Sequence, residues 1–142
     1  MLTLNQAAMI ADTVLSEGER RAFAPLCVAV LDSGGHALVL KRHEHASISR
    51  PEVATAKAAG CLGLGFGGRE LARRAAAAPA FIAALGTILP KGIVPVPGGV
   101  LIREVDGTLI GAVGVSGDTS DNDEVCALAG VAAVGLIADC GE

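Results

Sequence analysis

One lysine of the sequence lies where helical periodicity predicts an apolar face. At about 100° per residue, Lys57 falls between Val53, Cys61 and Leu64, in a helix that Pro51 opens. An ammonium group in such surroundings loses its hydration, which favours an anionic partner. The alternative is a lysine that packs its stem on the surface and keeps its amine in water. We therefore expect Lys57 either to meet a ligand carboxylate or a partner acid, or to reach solvent.

Arg42 ends a β-prone run on the core-facing side, as period-two alternation predicts. A guanidinium at that point suits a bidentate grip on a ligand carboxylate. It equally suits an ion pair with an acidic residue further along the chain, namely Asp121, Asp123 or Glu124. Both interpretations put Arg42 beside negative charge.

Two histidines follow Arg42 at a spacing of two. If the strand persists, His43 and His45 point to the same side and are candidates to ligate one metal ion, while Glu44 faces the opposite way. Imidazoles also change protonation near neutral pH and therefore suit proton transfer. The simpler interpretation is a solvated loop. His36 follows two glycines and is expected to be a turn residue.

A cluster of acids follows an apolar run and a Gly-flanked serine in residues 111–130. Thr119, Ser120 and Asp121 are all good helix N-caps. We therefore expect a helix to begin at this junction.

The same junction is a candidate anion site. Backbone N–H groups from Ser116 and Gly117 onward and the helix dipole favour a negative group. The neighbouring aspartates repel a phosphate, so a single carboxylate fits better. Asp123 is the candidate to face Lys57 or Arg42.

A Pro/Gly-rich loop precedes the second half of the predicted sheet. Pro97 fixes the path of the chain, and Gly98 and Gly99 allow close backbone approach. The loop is either a pocket rim or a turn into the next strand. The predicted ligand-binding set is Arg42, Glu44, Lys57, Pro97, Gly98, Gly99, Ser116, Gly117 and Asp123.

Two hairpins and five helical stretches position these residues. Ser-Gly-Gly and Val-Asp-Gly turns join the paired β-prone runs, and a Thr3–Gln6 capping box opens the first helix, which Pro25 is expected to stop. The pattern predicts an α+β fold in the order α-β-β-α-α-α-β-β-α, a single domain over residues 1–142. One antiparallel sheet of about five strands is flanked by helices. The predicted strands are 26–32, 36–43, 100–104 and 108–115, with a short edge strand at 93–96, and the last helix is predicted over 119–138.

Composition excludes several classes of protein. The chain has 142 residues, a net charge of −4 and 2% aromatic residues, a poor match to nucleic-acid binding. The longest apolar run, residues 125–138, is too short to span a membrane. Four cysteines without a paired spacing suggest free thiols in a reducing compartment, and no secretory leader is recognised. We expect a cytoplasmic protein without nucleic-acid or membrane partners.

The last predicted helix is apolar on all sides after Glu124. One sheet covers only one side of such a helix. We therefore expect a homo-oligomer; the alternative is a monomer whose helices cluster.

Several segments together resemble the GlcG/HbpS-like family, which includes the C-terminal domain of PduO-type proteins. They are VAVLDSGGHALVLKR, PEVATAKAAG, PVPGGV and GTLIGAVGVSGDTSDNDEVCALAG. The resemblance implies a five-stranded antiparallel sheet flanked by helices, self-assembly, a small-ligand pocket and, for some members, haem binding. The chain departs from the family pattern in two segments, residues 42–46 and residues 57–61. In the second segment it lacks the tyrosine and the threonine of the family pattern. The ligand therefore stays open between an organic acid and haem.

Three functional hypotheses follow. The first is a small-ligand-binding protein with its pocket between Lys57, Arg42 and the junction at 116–123. The second is a catabolic isomerase or lyase acting on a carbonyl acid. In it Lys57 or a histidine moves protons, Asp123 orients that group and Arg42 holds the substrate carboxylate. The third is a structural assembly protein whose pocket is incidental.

Overall fold

A single antiparallel sheet of five strands carries helices on both faces. The structure, a computed structural model, describes residues 1–142. The strand order is β2-β1-β4-β3-β5, which confirms the predicted fold class. The elements are α1 (Leu4–Arg20), β1 (Cys27–Asp32), β2 (Ala37–Arg42), α2 (Arg50–Leu64), α3 (Gly68–Ala77), α4 (Pro79–Ile88), β3 (Gly99–Arg103), β4 (Leu109–Ser116), α5 (Ser120–Ala133) and β5 (Ile137–Asp139).

The fifth strand is not where the sequence places it. Residues 93–96 form no strand; Pro95 interrupts them, and Ile93 packs against Gly60 of α2. The edge strand is instead β5, which pairs with β3. The apolar run at 125–138 is divided because Gly135 has a φ of +72° and Leu136 N–H bonds back to the Val131 carbonyl, a left-handed helix ending that glycine favours.

Side-chain caps begin the first and last helices. Thr3 and Gln6 form the predicted capping box of α1, and the Thr119 side chain accepts from the Asn122 N–H at the start of α5. The end of α1 comes before Pro25, because Ala22 adopts a left-handed φ of 57°. Capping therefore explains the junction at Thr119, as the sequence predicts.

The sheet separates two cores. One face packs against α1 and α5 through the larger apolar cluster, which includes Ile10, Val14, Val28, Val113 and Val131. The other face packs against α2 through a smaller cluster around Leu31 and Leu101. Burial of these apolar groups is the main stabilising contribution.

The α2 helix lies directly on the sheet backbone. A β-carbon at Gly114 would lie 2.0 Å from the Ala54 carbonyl oxygen, and one at Gly99 would lie 2.6 Å from the Lys57 carbonyl oxygen. Real Cβ atoms do not approach so closely, so only glycine allows this contact. The close approach brings Lys57 to the end of β4.

The apolar α5 helix is covered within the chain, by α1 and the sheet. The helix left uncovered is α4, where Phe81 is 61% and Ile88 71% exposed. Packing among the chain's own helices, the alternative named above, therefore covers α5, and the homo-oligomer stays a prediction. No single helix is long and apolar enough to cross a membrane; α3 and α4 satisfy length and composition only as a pair, which is bent by 119°.

Candidate functional site

Lys57 and Asp123 form an ion pair in the interior. Nζ of Lys57 lies 2.9 Å from Oδ2 of Asp123, and the side chains are 3% and 1% exposed. The same amine donates to the Val115 carbonyl at 2.9 Å. The lysine thus reaches from α2 past the end of β4 to the first turn of α5, and the expected pairing of these two residues is present.

The surroundings enclose this pair. The Asp118 N–H donates to Oδ1 of Asp123 at 3.0 Å. A β-carbon at Gly98 would lie only 2.8 Å from Nζ of Lys57, and Gly98 has a φ of +111°. Gly98 and Gly99 are therefore packed against Lys57, and a side chain at Gly98 would collide with the amine.

Burial dominates the electrostatics of Asp123. Loss of hydration raises the pKa of its carboxyl above the usual range, and the Lys57 ammonium opposes that shift. A buried pair of this kind costs about 3–5 kcal/mol when one partner is removed, since the other charge is left uncompensated. The pair fixes α2 against β4 and α5.

Ser116 and Gly117 are also engaged within the protein. The Arg50 guanidinium donates to Oγ of Ser116 at 2.9 Å, and a β-carbon at Gly117 would lie 2.3 Å from the Pro25 carbonyl oxygen. Sequence reasoning missed Arg50. The available signal was a basic residue at a helix N-terminus, where the dipole disfavours it without a partner.

The interpretation of Arg42 as an acid partner is wrong. Its Nη1 donates to three backbone carbonyls of the following loop, those of His43, Glu44 and Ala46. Arg42 therefore shapes the loop from which α2 begins, and Glu44 is exposed on that loop.

Arg69 of α3, and not Arg42, forms the ion pairs with the acids at the start of α5. Its guanidinium contacts Asp121 at 3.0 Å and Glu124 at 2.9 Å. Glu124 is 4% exposed, and its Oε2 atom has no hydrogen-bond partner. Nothing in the spacing of the sequence predicted that α3 would reach the start of α5.

His43 and His45 lie close together, with ring centroids 5.5 Å apart. Nδ1 of His43 accepts from the His45 backbone N–H at 3.1 Å. No group of three or more His, Cys, Asp or Glu side chains is arranged to hold a metal ion. The metal role of this pair stays a prediction without a third ligand.

Open space lies along the outer side of α2. Two clefts of about 300 and 320 Å³ share Pro90 and Lys91, and we call them together the α2 groove. Lys91 reaches across and donates to the Gly35 carbonyl. The walls are the hairpin turn, α2 and the loop before β3; they include Gly34, Gly35, Leu40, Pro51, Thr55, Ala59, Leu62 and Leu89.

A second apolar cleft of about 240 Å³ lies between the end of α2 and helices α3 and α4. Phe66 and Phe81 line it, and Arg74 stacks over the Phe66 ring at 4.1 Å. We call this the Phe cleft. It contains two of the three aromatic side chains of the chain.

A family model described as "Haem degrading protein HbpS-like" matches residues 2–132. The chain belongs to the HbpS-like family. A crystal structure of HbpS is 30% identical, with 93% of this chain and 89% of that chain covered and a TM-score of 0.80. Membership therefore rests on both sequence and structure.

Two further solved structures resemble this HbpS-like chain. Protein ORFY of Klebsiella pneumoniae is 25% identical, covers 94% of this chain and 90% of its own, and has a TM-score of 0.83. PduOC, solved as a heme complex, is 22% identical with 99% of each chain covered and a TM-score of 0.85; at that identity it shows the fold alone. A comparison with curated proteins finds no match.

Sequence reasoning about this HbpS-like chain found the buried pair but missed the α2 groove. The groove is made by three segments far apart in sequence, and Lys91 lies in a Pro/Gly-rich loop without periodicity. Periodicity singled out Lys57, which faces the interior. Lys91 faces open space, and no pattern in the sequence around it pointed to it.

Proposed function

We propose that this HbpS-like chain binds haem, a flat apolar ligand carrying carboxylates, and that it does so in the α2 groove. Membership of a family described by haem degradation supports the ligand class. The observation that carries the proposal is an open groove with apolar walls and one amine, Lys91, across it.

The α2 groove offers haem apolar contacts and one cation, and its lining contains no iron ligand. Each of its two clefts reaches the lower end of the range of about 300–1,000 Å³ typical of ligand sites. Leu40, Leu62 and Leu89 offer apolar surface to a macrocycle, and Lys91 offers an ammonium group to a propionate. Bound haem supplies an iron centre whose reactivity depends on its axial ligand and surroundings.

The Phe cleft is the weaker location. Its aromatic walls suit a macrocycle, but its volume of about 240 Å³ is below that of either cleft of the α2 groove, and like them it has no His, Cys, Met or Tyr side chain in its lining. Arg74 is also engaged, since its Nε donates to Glu70 at 3.1 Å.

The Lys57–Asp123 pair is better suited to support than to chemistry. A proton-transfer group must lie within hydrogen-bond reach of its substrate, and the Lys57 amine is enclosed by Gly98, Val115 and Asp123. We infer that the pair positions α2, whose other side forms a wall of the groove. No observation favours the isomerase or lyase hypothesis.

The test is a haem titration of the purified chain followed by its Soret absorbance. Wild type is expected to saturate with one haem per chain, and Lys91→Met to bind about 3- to 10-fold more weakly, since a partly exposed charge pair contributes about 1 kcal/mol. The matched control is Lys41→Met, an exposed lysine paired with Asp12 on the α1 side, with unchanged affinity expected. Absence of a Soret change in wild type would reject haem and leave a smaller organic acid as the ligand to test by calorimetry.

Two earlier expectations stay predictions. The four cysteines are free thiols, which supports a reducing compartment such as the cytoplasm. Self-association is predicted by family resemblance, and sedimentation of wild type against a Phe81→Gln variant tests whether the exposed α4 helix takes part.

A further inference from the structure

The lining of the α2 groove contains none of the side chains that usually ligate haem iron. Proteins hold this iron through His, Cys, Met or Tyr, and none of these residue types is present among the residues that line the two clefts. The chain has no tyrosine at all. A macrocycle bound in the groove is therefore held by contacts to its ring and its carboxylates.

The chain does have potential iron ligands, but they lie in other parts of the fold. Met9 belongs to α1 and His43 lines a small cleft beside α1, which packs on the face of the sheet opposite α2. Three of the four cysteines are buried thiols. His36 is outside the lining, although the turn before it contributes Gly34 and Gly35. The lack of an iron ligand is thus a property of the groove and not of the whole chain.

The apolar wall of the groove is made of small and branched side chains. Ala59, Leu62 and Gly63 come from adjacent turns of α2, and Leu89 faces them from the loop after α4. Outside its own helix, a β-carbon at Gly63 would meet only the Leu89 side chain, at 3.9 Å, so the helix surface is open there. Contact with such a wall depends on the apolar area and shape of a ligand, and a metal at its centre does not change them.

The charges of the lining favour a carboxylate at one position. Lys91 is its only basic residue, and the Lys91 amine is bonded to the neutral Gly35 carbonyl. Glu52 is its only acid and lines just the cleft of about 320 Å³, where it repels a further carboxylate. The pattern therefore fits a ligand with an apolar body and carboxylates along one edge.

A ligand recognised by its ring and its carboxylate does not need a metal. We propose that the α2 groove binds porphyrin carboxylic acids regardless of their central metal, so that iron-free protoporphyrin IX occupies it as well as haem does. Ala59, Leu62 and Leu89 contact the macrocycle, and Lys91 pairs with a propionate. This inference rests on the proposed function and extends its ligand class to porphyrins that carry no iron.

The experiment titrates the wild-type chain with haem, followed by Soret absorbance, and with protoporphyrin IX, followed by porphyrin fluorescence. We expect the two dissociation constants to agree within about 3-fold, since no bond to iron is lost. Each ligand should displace the other, because both occupy one groove. Binding of protoporphyrin IX that is weaker by about 10-fold or more would overturn the proposal, because even groups that only support a metal ligand change metal affinity by that factor.

Protoporphyrin IX dimethyl ester tests the carboxylate contact. The ester keeps the ring but loses both negative charges, so wild type is expected to bind it about 3- to 10-fold more weakly than the free acid. Lys91→Met should bind the acid and the ester equally. A preference for the acid that persists in Lys91→Met would show that another cation holds the carboxylate and would overturn this placement of the ligand.

Ala59→Leu tests the apolar wall. The larger side chain fills space over α2, so we expect haem and protoporphyrin IX to lose affinity by the same factor, about 10-fold. The matched control is Ala76→Leu, at an exposed alanine of α3 outside the groove, which should bind both ligands as wild type does. Unequal losses for the two ligands in Ala59→Leu would show that they use different sites and would overturn the proposal.

The outcomes separate this inference from the proposed function. Binding of haem without binding of protoporphyrin IX would overturn metal-independent recognition while haem binding by the chain still stands. If wild type binds neither ligand, the inference and the proposed function are both wrong.

Discussion

Lys57, which is part of α2, and Lys91, which lies in the loop beside the outer side of α2, have opposite surroundings. Lys57 is enclosed between α2, β4 and α5 and paired with Asp123 at 2.9 Å, whereas Lys91 lies on an exposed loop and spans the open α2 groove to the Gly35 carbonyl. The first cation is committed to an internal acid, and the second contacts only a neutral carbonyl. A ligand carboxylate can displace a carbonyl far more easily than a buried aspartate.

This difference between the two lysines indicates that the surroundings of Lys57 contribute to stability and that the surroundings of Lys91 are suited to ligand binding. The Lys57 region holds the helix in place, and the groove on the other side of that helix is free to change its contacts. Charge placed deep in a fold is therefore weak evidence for a ligand site unless open space adjoins it.

The largest expected effect is on stability, from Lys57→Met. Removal of the ammonium leaves the Asp123 carboxylate buried without a counter-charge, so we expect the free energy of unfolding to fall by about 3–5 kcal/mol. Urea unfolding followed by circular dichroism measures this. Lys91→Met should unfold as wild type does, and adding Asp123→Leu to Lys57→Met should recover most of the loss. If Lys57→Met and Lys91→Met were equally stable, Lys57 would contribute no more to stability than Lys91, and the comparison would be wrong.

Gly98→Ala is expected to have the next largest effect. A methyl group there meets Nζ of Lys57 at 2.8 Å in a backbone conformation with a φ of +111°, so the variant should lose about 2–3 kcal/mol. Gly107→Ala is the control, because Gly107 also has a positive φ but open space around it. Its loss should stay near 1 kcal/mol. If Gly98→Ala and Gly107→Ala lost the same stability, backbone strain alone would explain both losses, and the close packing of Gly98 against Lys57 would not contribute.

A smaller effect with a pH signature is expected at Asp118. Its carboxylate accepts from the Ala24 N–H at 2.7 Å, from Asn122 and from Thr119, and these bonds, that to Ala24 first, lower its pKa. A lowered folded-state pKa contributes stability at pH above the unfolded value and loses it as pH falls through the folded value.

Asp118→Asn should therefore cost about 1 kcal/mol at pH 7, and the difference from wild type should close below about pH 4. Thermal unfolding across this range measures the gap. Glu19→Gln, at an exposed position, should show no such gap. A constant difference at all pH values would mean that the carboxylate charge is not involved.

Periodicity and turn chemistry were sufficient for most of the fold. The Ser-Gly-Gly turn and the Asp-Gly turn fixed both hairpins, and the apolar stripe with Lys57 made a buried, paired amine on α2 one of two expectations. The fifth strand was misplaced because Gly135 ends α5 within an unbroken apolar run, and residue types alone did not show which glycine would stop the helix.

The candidate site was less predictable for a physical reason. Arg42 was expected to reach an acid, but backbone carbonyls of its own loop satisfy it, and Arg69 reaches Glu124 from a helix distant in sequence. His36 was expected to be only a turn residue. The turn before it contributes Gly34 and Gly35 to the wall of the α2 groove, and this placement depends on tertiary packing that local patterns do not encode.

The central claim is that ligand binds in the α2 groove and not beside Lys57. Ferric haem is paramagnetic, so amide resonances near it broaden in a ¹⁵N-correlated spectrum of the labelled chain. We predict that Gly34, Gly35, His36, Ala59 and Leu62 broaden first while Ser116, Asp123 and Glu124 stay sharp. Broadening centred on Ser116–Asp123, with Gly34 and Leu62 unaffected, would contradict the account.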